Sequence, residues 1–144
     1  HFFSACRTIA VNSASGAFMA WKAHFFRDHE TFVRICTTSD PGSVKRMGRL
    51  VQRYDDKAWE CVREGFMTRV NLLKYQQNPS FAAQLKATGD RILVEASPVD
   101  SIWGVGLDEA ACVKHEQNRL LGLSAGWPGR NLLGKALMTV RGLL

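Results

Sequence analysis

The stretch Leu93–Leu107 reads LVEASPVDSIWGVGL, and whether its beginning is a β-strand decides between a purely helical fold and a mixed one. Arg91 to Ala96 is a short, largely apolar run broken at Ser97-Pro98, which predicts a strand. The rest of the stretch brings Glu95, Asp100, Trp103, Gly104 and Gly106 into a dozen residues. A plain turn rarely combines two carboxylates, an indole and a Gly-x-Gly, whereas a polar pocket sized for a sugar or a base uses all of them. Carboxylates move protons or steady a developing positive charge. An indole stacks on a planar base, and glycine lets backbone approach a ligand closely.

Outward from this stretch the pattern is helical. Residues 15–28 predict a first helix with Phe18, Trp21, Phe25 and Phe26 toward its apolar side. Asp40-Pro41 reads as an N-cap followed by proline in the first turn, and Val44, Met47, Val51 and Tyr54 then recur at helical spacing. Asp55 or Asp56 caps a longer helix marked by Trp59, Val62, Phe66, Val70 and Leu73. Asn78-Pro79 opens a short helix that stops at Thr88-Gly89. The segment from Cys112 to Pro128 reads as a helix end and an exposed loop. A last helix, about Arg130 to Leu144, aligns Leu133, Ala136, Leu137, Val140 and Leu144. The predicted fold class is mainly α (α+β): one compact helical domain over residues 1–144 with a small β element.

Bulk properties narrow the function classes. The chain has 144 residues, 46% hydrophobic and 22% charged, which is ordinary for a globular protein with its own core. No apolar run approaches the roughly 20 residues that cross a bilayer, so no membrane partner is expected. No basic segment followed by an apolar core marks a secretory signal, although the chain begins at His1 without an initiator Met. Cys6, Cys36, Cys61 and Cys112 form no C-x-x-C, which argues against a zinc or thioredoxin-like site and for reduced thiols in a cytoplasmic protein. The net charge of +6 suits an anionic ligand or partner without naming one.

Each candidate residue has a bland reading beside its chemical one. Lys45, Arg46, Arg49 and Arg53 follow Asp40 with no acidic residue among them. They form a solvated basic face or, at Arg49 beside Gly48, a phosphate contact. Lys22, among aromatic and small residues, either snorkels from the core or projects into a pocket. His1, His24, His29 and His115 show no metal spacing and fit surface or capping roles. Gly104-Val105-Gly106 lacks the rest of a dinucleotide fingerprint and fits a tight turn. Trp127-Pro128-Gly129-Arg130-Asn131 opens the last helix, where free N–H groups attract anions, but capping and loop packing also explain it. Glu95 can simply face water, and Asp100 can cap a turn.

Taken in order, these residues resemble the YbiA-like family, also called NADAR. The resemblance rests on Lys22-Ala23, Asp40-Pro41, Gly48-Arg49, Trp59, Lys74-Tyr75 with Gln77-Asn78, and Thr88-Gly89-Asp90. It continues through Leu93–Pro98, Asp100, Trp103–Leu107, Trp127, Gly129, Asn131, Leu133-Gly134, Leu137-Met138 and Val140-Arg141. It implies a mainly α N-glycosidase that hydrolyses a ribose–nitrogen bond and needs no metal or organic cofactor. The implied substrates are phosphorylated ribosylaminopyrimidines of riboflavin synthesis or ADP-ribose adducts, including those on guanine in nucleic acid. Glu95 and Asp100 are then the available catalytic carboxylates, with Lys22 beside them. Trp103 stacks on the base, while Lys22, Arg49 and Asn131 hold phosphate and ribose hydroxyls. Gly104, Trp127 and Ser15 complete the implied substrate-binding set.

One departure stands out. The family usually carries a Glu seven positions before the lysine matched by Lys22, and Ser15 occupies that place here. Residues 1–17 look short and divergent, with Phe3-Ser4 echoing the family's start, and Glu30 is the nearest acid but at the wrong spacing. The alternative reading is therefore a non-catalytic or weakly active binder of ADP-ribose-like ligands. A nucleic-acid-binding module driven by positive charge ranks third. The sequence leaves the oligomeric state open.

Overall fold

In the first helix of the computed structural model, Ser13 Oγ accepts the Gly16 N–H at 3.0 Å and opens α1, Ala14–Phe25. The structure describes residues 13–122 and 126–144. Six further helices follow: α2 (His29–Thr37), α3 (Pro41–Arg49), α4 (Asp56–Gln76), α5 (Pro79–Ala87), α6 (Glu109–Leu120) and α7 (Leu132–Leu143). The chain divides into two compact units, His1–Val70 and Asn71–Leu144, with the division inside α4.

In the N-terminal unit, α1 packs against α2 and α3. Gly16, Phe18, Ala20, Trp21 and Ala23 are all buried, so more than one side of α1 is covered. Small residues let the neighbouring helices come close. A Cβ at Gly48 of α3 would collide with Met19 of α1, so the space beside Arg49 is already filled by a neighbouring helix. Around α1 sits an aromatic cluster. The Phe18 and Trp59 rings lie 5.3 Å apart, Trp21 and Phe66 5.4 Å, and Trp59 stacks on Phe66 at 5.7 Å. Such pairs each add about 0.5–1.5 kcal/mol beyond the area they bury.

Two aspartates start helices here as the sequence predicts. Asp40 Oδ2 accepts the Ser43 N–H at 2.7 Å, and Asp55 Oδ1 accepts that of Ala58 at 2.6 Å. The α3 face is shorter than its pattern. Val44 and Val51 are buried, but Tyr54 lies beyond the helix and packs on Phe26 at 5.2 Å. The helix α2, which the pattern did not mark, is opened by buried Asp28. Its Oδ1 accepts the Thr31 N–H at 3.1 Å and its Oδ2 the Gln52 N–H at 2.9 Å.

In the C-terminal unit α5 contacts α7. Arg141 of α7 donates through Nη1 to Thr88 Oγ1 at 2.7 Å and to the Arg91 carbonyl at 2.9 Å, which ties the end of α5 to the start of the following segment. Gly89, at φ 55°, ends α5 as expected. The helix α6 supplies the helical part of the 112–128 region.

The expected small β element is absent. Helices hold 65% of the described residues, and no strand occurs among them. Arg91–Ala96 takes no regular secondary structure, and its polar groups find no second strand among the described residues. The Leu93 carbonyl and the Glu95 N–H both bond to the side chain of Asn131, and the Glu95 carbonyl accepts from Ser97 and Val105 in the adjoining loop. An apolar run alone does not make a strand; a ladder needs a neighbouring backbone, and a carboxamide takes that place here. The fold class is therefore all-helical rather than α+β. The divergent start of the chain, including Phe3-Ser4, lies mostly outside the described residues.

Candidate functional site

The sequence candidates fall into two groups, one in each unit. In the N-terminal unit, Ser15 and Lys22 lie on α1, seven residues or about two turns apart. Ser15 Oγ is 3.2 Å from Ser13 Oγ, so a pair of hydroxyls occupies the start of α1. Lys22 is half-buried and its ammonium is well defined. Nζ donates to the Gly48 carbonyl at 2.8 Å and lies 4.2 Å from the centre of the Tyr54 ring, with Trp59 at 6.0 Å. Burial lowers its pKa below the usual 10.5, and the charge of Asp56 partly opposes that shift.

Tyr54 is the residue the sequence reading missed here, because its spacing assigned it to the core face of a helix. Its hydroxyl donates to Asp56 Oδ1 at 2.7 Å. Burial, then that hydrogen bond and the Asp56 charge, push the phenol up to about 12, so the ring beneath Lys22 stays neutral. Arg49 is exposed at the last turn of α3, one residue beyond the carbonyl that holds Lys22. Glu30 is exposed in the first turn of α2.

In the C-terminal unit the main chain joins residues 93–107 to residues 129–133. Gly129 N–H bonds to the Val105 carbonyl at 2.8 Å, Arg130 to Ser101 at 2.8 Å, and Asn131 to Gly104 at 3.1 Å. Leu132 and Leu133 donate to Ile102 and Trp103, both at 3.1 Å. The start of α7 was a candidate anion site. Its first N–H groups are instead taken by the carbonyls of the loop. Gly104 is buried at this junction, and a Cβ there would lie 2.7 Å from the Asp100 carbonyl oxygen and 3.0 Å from that of Glu95. Its glycine serves chain-to-chain approach.

The two carboxylates differ. Asp100 Oδ1 accepts the N–H groups of Ile102 and Trp103 at 2.9 and 2.8 Å, an Asx turn that shapes the loop. Glu95 is exposed, its backbone is held on both sides, and its carboxylate makes no hydrogen bond or ion pair among the described residues. Trp103 is half-buried. Trp127, also half-buried, stacks on His115 of α6 with ring centres 4.8 Å apart and planes at 25°. Asn131, at φ 53° and buried, spends both ends of its carboxamide on the backbone of residues 93–95 and caps nothing.

A cavity of about 380 Å³ opens in the same unit, lined by Lys74, Tyr75, Phe81, Leu85, Thr88 and Leu93 among others. None of the sequence candidates lines it. Among the described residues no group of three His, Cys, Asp or Glu side chains is placed to hold a metal ion. No helix there is long and apolar enough to cross a membrane.

Known proteins resemble this chain in sequence and fold. Residues 4–144 match the NADAR domain family, a match that runs through both units. N-glycosidase R617 of Acanthamoeba polyphaga mimivirus is 39% identical over 129 residues, covering 90% of this chain and 72% of that protein. Riboflavin biosynthesis protein VVA0006 of Vibrio vulnificus is 31% identical over 121 residues, covering 84% of this chain and 28% of that protein. The NMR structure of the E. coli protein YbiA superposes with a TM-score of 0.67 at 28% identity, covering 90% of this chain and 65% of that one. By sequence match along nearly its whole length and by fold, the chain belongs to the NADAR domain family.

Proposed function

We propose that the protein is an N-glycosidase that hydrolyses the bond between a ribose carbon and a base nitrogen in a phosphorylated, ribosylated substrate. The observation that carries this reading is Glu95, an exposed carboxylate on a backbone fixed by Asn131 and Val105. Breaking a ribosyl C–N bond builds positive charge on the sugar. A carboxylate held in place steadies that charge or takes a proton from the attacking water. The water oxygen bonds to the anomeric carbon as the C–N bond breaks, and its proton ends on the departing nitrogen.

Asp100 is the second carboxylate in this reading, with one oxygen committed to the turn that presents Trp103. Trp103 and Trp127 supply stacking surface, while Gly104 and Asn131 hold the loop. Lys22, with Arg49 near its carbonyl partner, supplies positive charge suited to phosphate. The relatives' names support N-glycoside hydrolysis and, in one of them, a link to riboflavin biosynthesis. The substrate classes in this proposal are a ribosylaminopyrimidine phosphate of the riboflavin type and an ADP-ribosyl-guanine adduct, free or in nucleic acid. A cytoplasmic setting is supported by Cys61 and Cys112, which form no disulfide among the described residues.

Ser15 favours a second reading, binding of ADP-ribose-like ligands without turnover, because a hydroxyl stands where a carboxylate is usual. Incubation with each substrate class, followed by mass spectrometry, separates the two. Release of free base over many turnovers supports the enzyme. Binding by calorimetry with no product supports the binder and removes the first reading.

A further inference from the structure

We propose that His115 is a positioning residue that backs the indole of Trp127 and makes it a fixed platform for the planar base of the ligand. The inference rests on the ligand class just proposed, a ribosylated base, and adds which ring receives that base and what holds the ring.

The geometry is that of a stack. The imidazole and indole centres are 4.8 Å apart and the planes depart from parallel by 25°, within the range of offset-stacked rings. One face of the indole is therefore covered by protein. Trp127 is only half-buried, so part of its surface still meets solvent. Its backbone is restrained close by. Pro128 limits the next φ, and the Gly129 N–H bonds to the Val105 carbonyl at 2.8 Å, tying Trp127 to the loop that carries Trp103 and Gly104.

A lone surface indole samples several rotamers, and a base that stacks on it must first stop that motion. Stacking on His115 restricts those rotamers before the ligand arrives, which lowers the ordering cost of binding. His115 itself lies on α6, a helix with no buried residue, opened by Asp108 accepting the Ala111 N–H at 2.8 Å. A core-packing role accounts poorly for an aromatic ring there, paired with an indole twelve residues away.

The test uses the full chain and two probes: AMP, which carries a base, and ribose 5-phosphate, which does not. The difference in emission between the wild type and Trp127→Phe isolates the signal of Trp127. AMP is expected to quench that signal. His115→Ala should weaken AMP binding on the order of tenfold, and His115→Phe, which keeps a ring, should stay within about twofold of the wild type. Ribose 5-phosphate should bind all three equally. Helical circular dichroism verifies that His115→Ala is folded, and His115→Phe repeats the test with the ring retained. The proposal is overturned by AMP binding that ignores His115→Ala, by His115→Phe as weak as His115→Ala, or by AMP leaving Trp127 emission unchanged. Absence of hydrolysis together with the expected binding pattern sinks the enzymatic reading and leaves the platform standing. Hydrolysis with binding indifferent to His115 does the reverse.

Discussion

Asn131 holds Glu95 by its backbone. The Asn131 Oδ1 accepts the Glu95 N–H at 3.0 Å, and Nδ2 donates to the Leu93 carbonyl at 2.8 Å, across more than thirty residues of sequence. One buried carboxamide thus performs the pairing that a second strand would otherwise supply. It also sets where the Glu95 side chain leaves the chain.

Asn131→Ala should cost about 3 kcal/mol, because it strands two backbone groups and places alanine at a left-handed φ. Asn131→Asp tolerates the same φ but turns an oxygen toward the Leu93 carbonyl, so it should recover little. Urea unfolding measures both. An Asn131→Ala variant within 0.5 kcal/mol of the wild type, roughly the scatter of neutral surface changes, would remove the clamp from the account.

Gly104→Ala should destabilise by about 2–4 kcal/mol, since the new methyl meets two carbonyl oxygens that belong to the loop backbone and cannot swing away. Thermal unfolding followed by circular dichroism checks this. A melting temperature equal to that of the wild type would show that the junction of residues 93–107 with 129–133 is loose.

These two positions show what was legible in the sequence. The caps at Asp40 and Asp55, the glycine stop at Gly89 and the apolar rhythm of α1, α4 and α7 are local, and local patterns determine them. The strand expected at Arg91–Ala96 does not form, because the groups that pair with its backbone belong to the side chain of Asn131, far along the sequence. Gly48 and Gly104 were read as room for a ligand and turned out to admit Met19 and neighbouring carbonyls. The Lys22–Tyr54 and His115–Trp127 contacts leave no periodic trace, since each joins residues on different elements.

Lys22→Met should stabilise the fold near neutral pH. Burial lowers the Lys22 pKa below 10.5, so between the folded value and 10.5 the unfolded chain holds more protons and wild-type stability rises with pH. Below that window the cost of the half-buried charge is present in full. The advantage of the variant should therefore shrink as pH climbs toward 10.5, while its affinity for inorganic phosphate falls at the pH values where Lys22 of the wild type is protonated and converges on the wild type above them. Denaturant midpoints across pH 7–11, roughly bracketing that titration, test the trend; an advantage that grows with pH contradicts it.

Asp28→Asn should cost about 2–3 kcal/mol, because the buried carboxylate accepts from both Thr31 and Gln52, and an amide offers only one acceptor oxygen. Burial pushes the Asp28 carboxyl up, but the Gln52 and Thr31 donors and the Arg53 charge outweigh it and hold it below the usual 3.8. Its contribution is present above that value and is lost as the pH falls through the folded pKa. The variant should show a flatter acid limb in stability measured against pH. An unchanged limb would assign acid unfolding to other carboxylates.

The central claim is that Glu95 serves chemistry rather than the fold. Its most direct test is turnover in ¹⁸O-labelled water with a ribosylated base, comparing the wild type with Glu95→Gln. The account predicts label in the sugar product and free base from the wild type. From Glu95→Gln it predicts a rate lower by at least about 10²-fold at an unchanged melting temperature. Wild-type-like turnover by Glu95→Gln, or its loss only through unfolding, would contradict it.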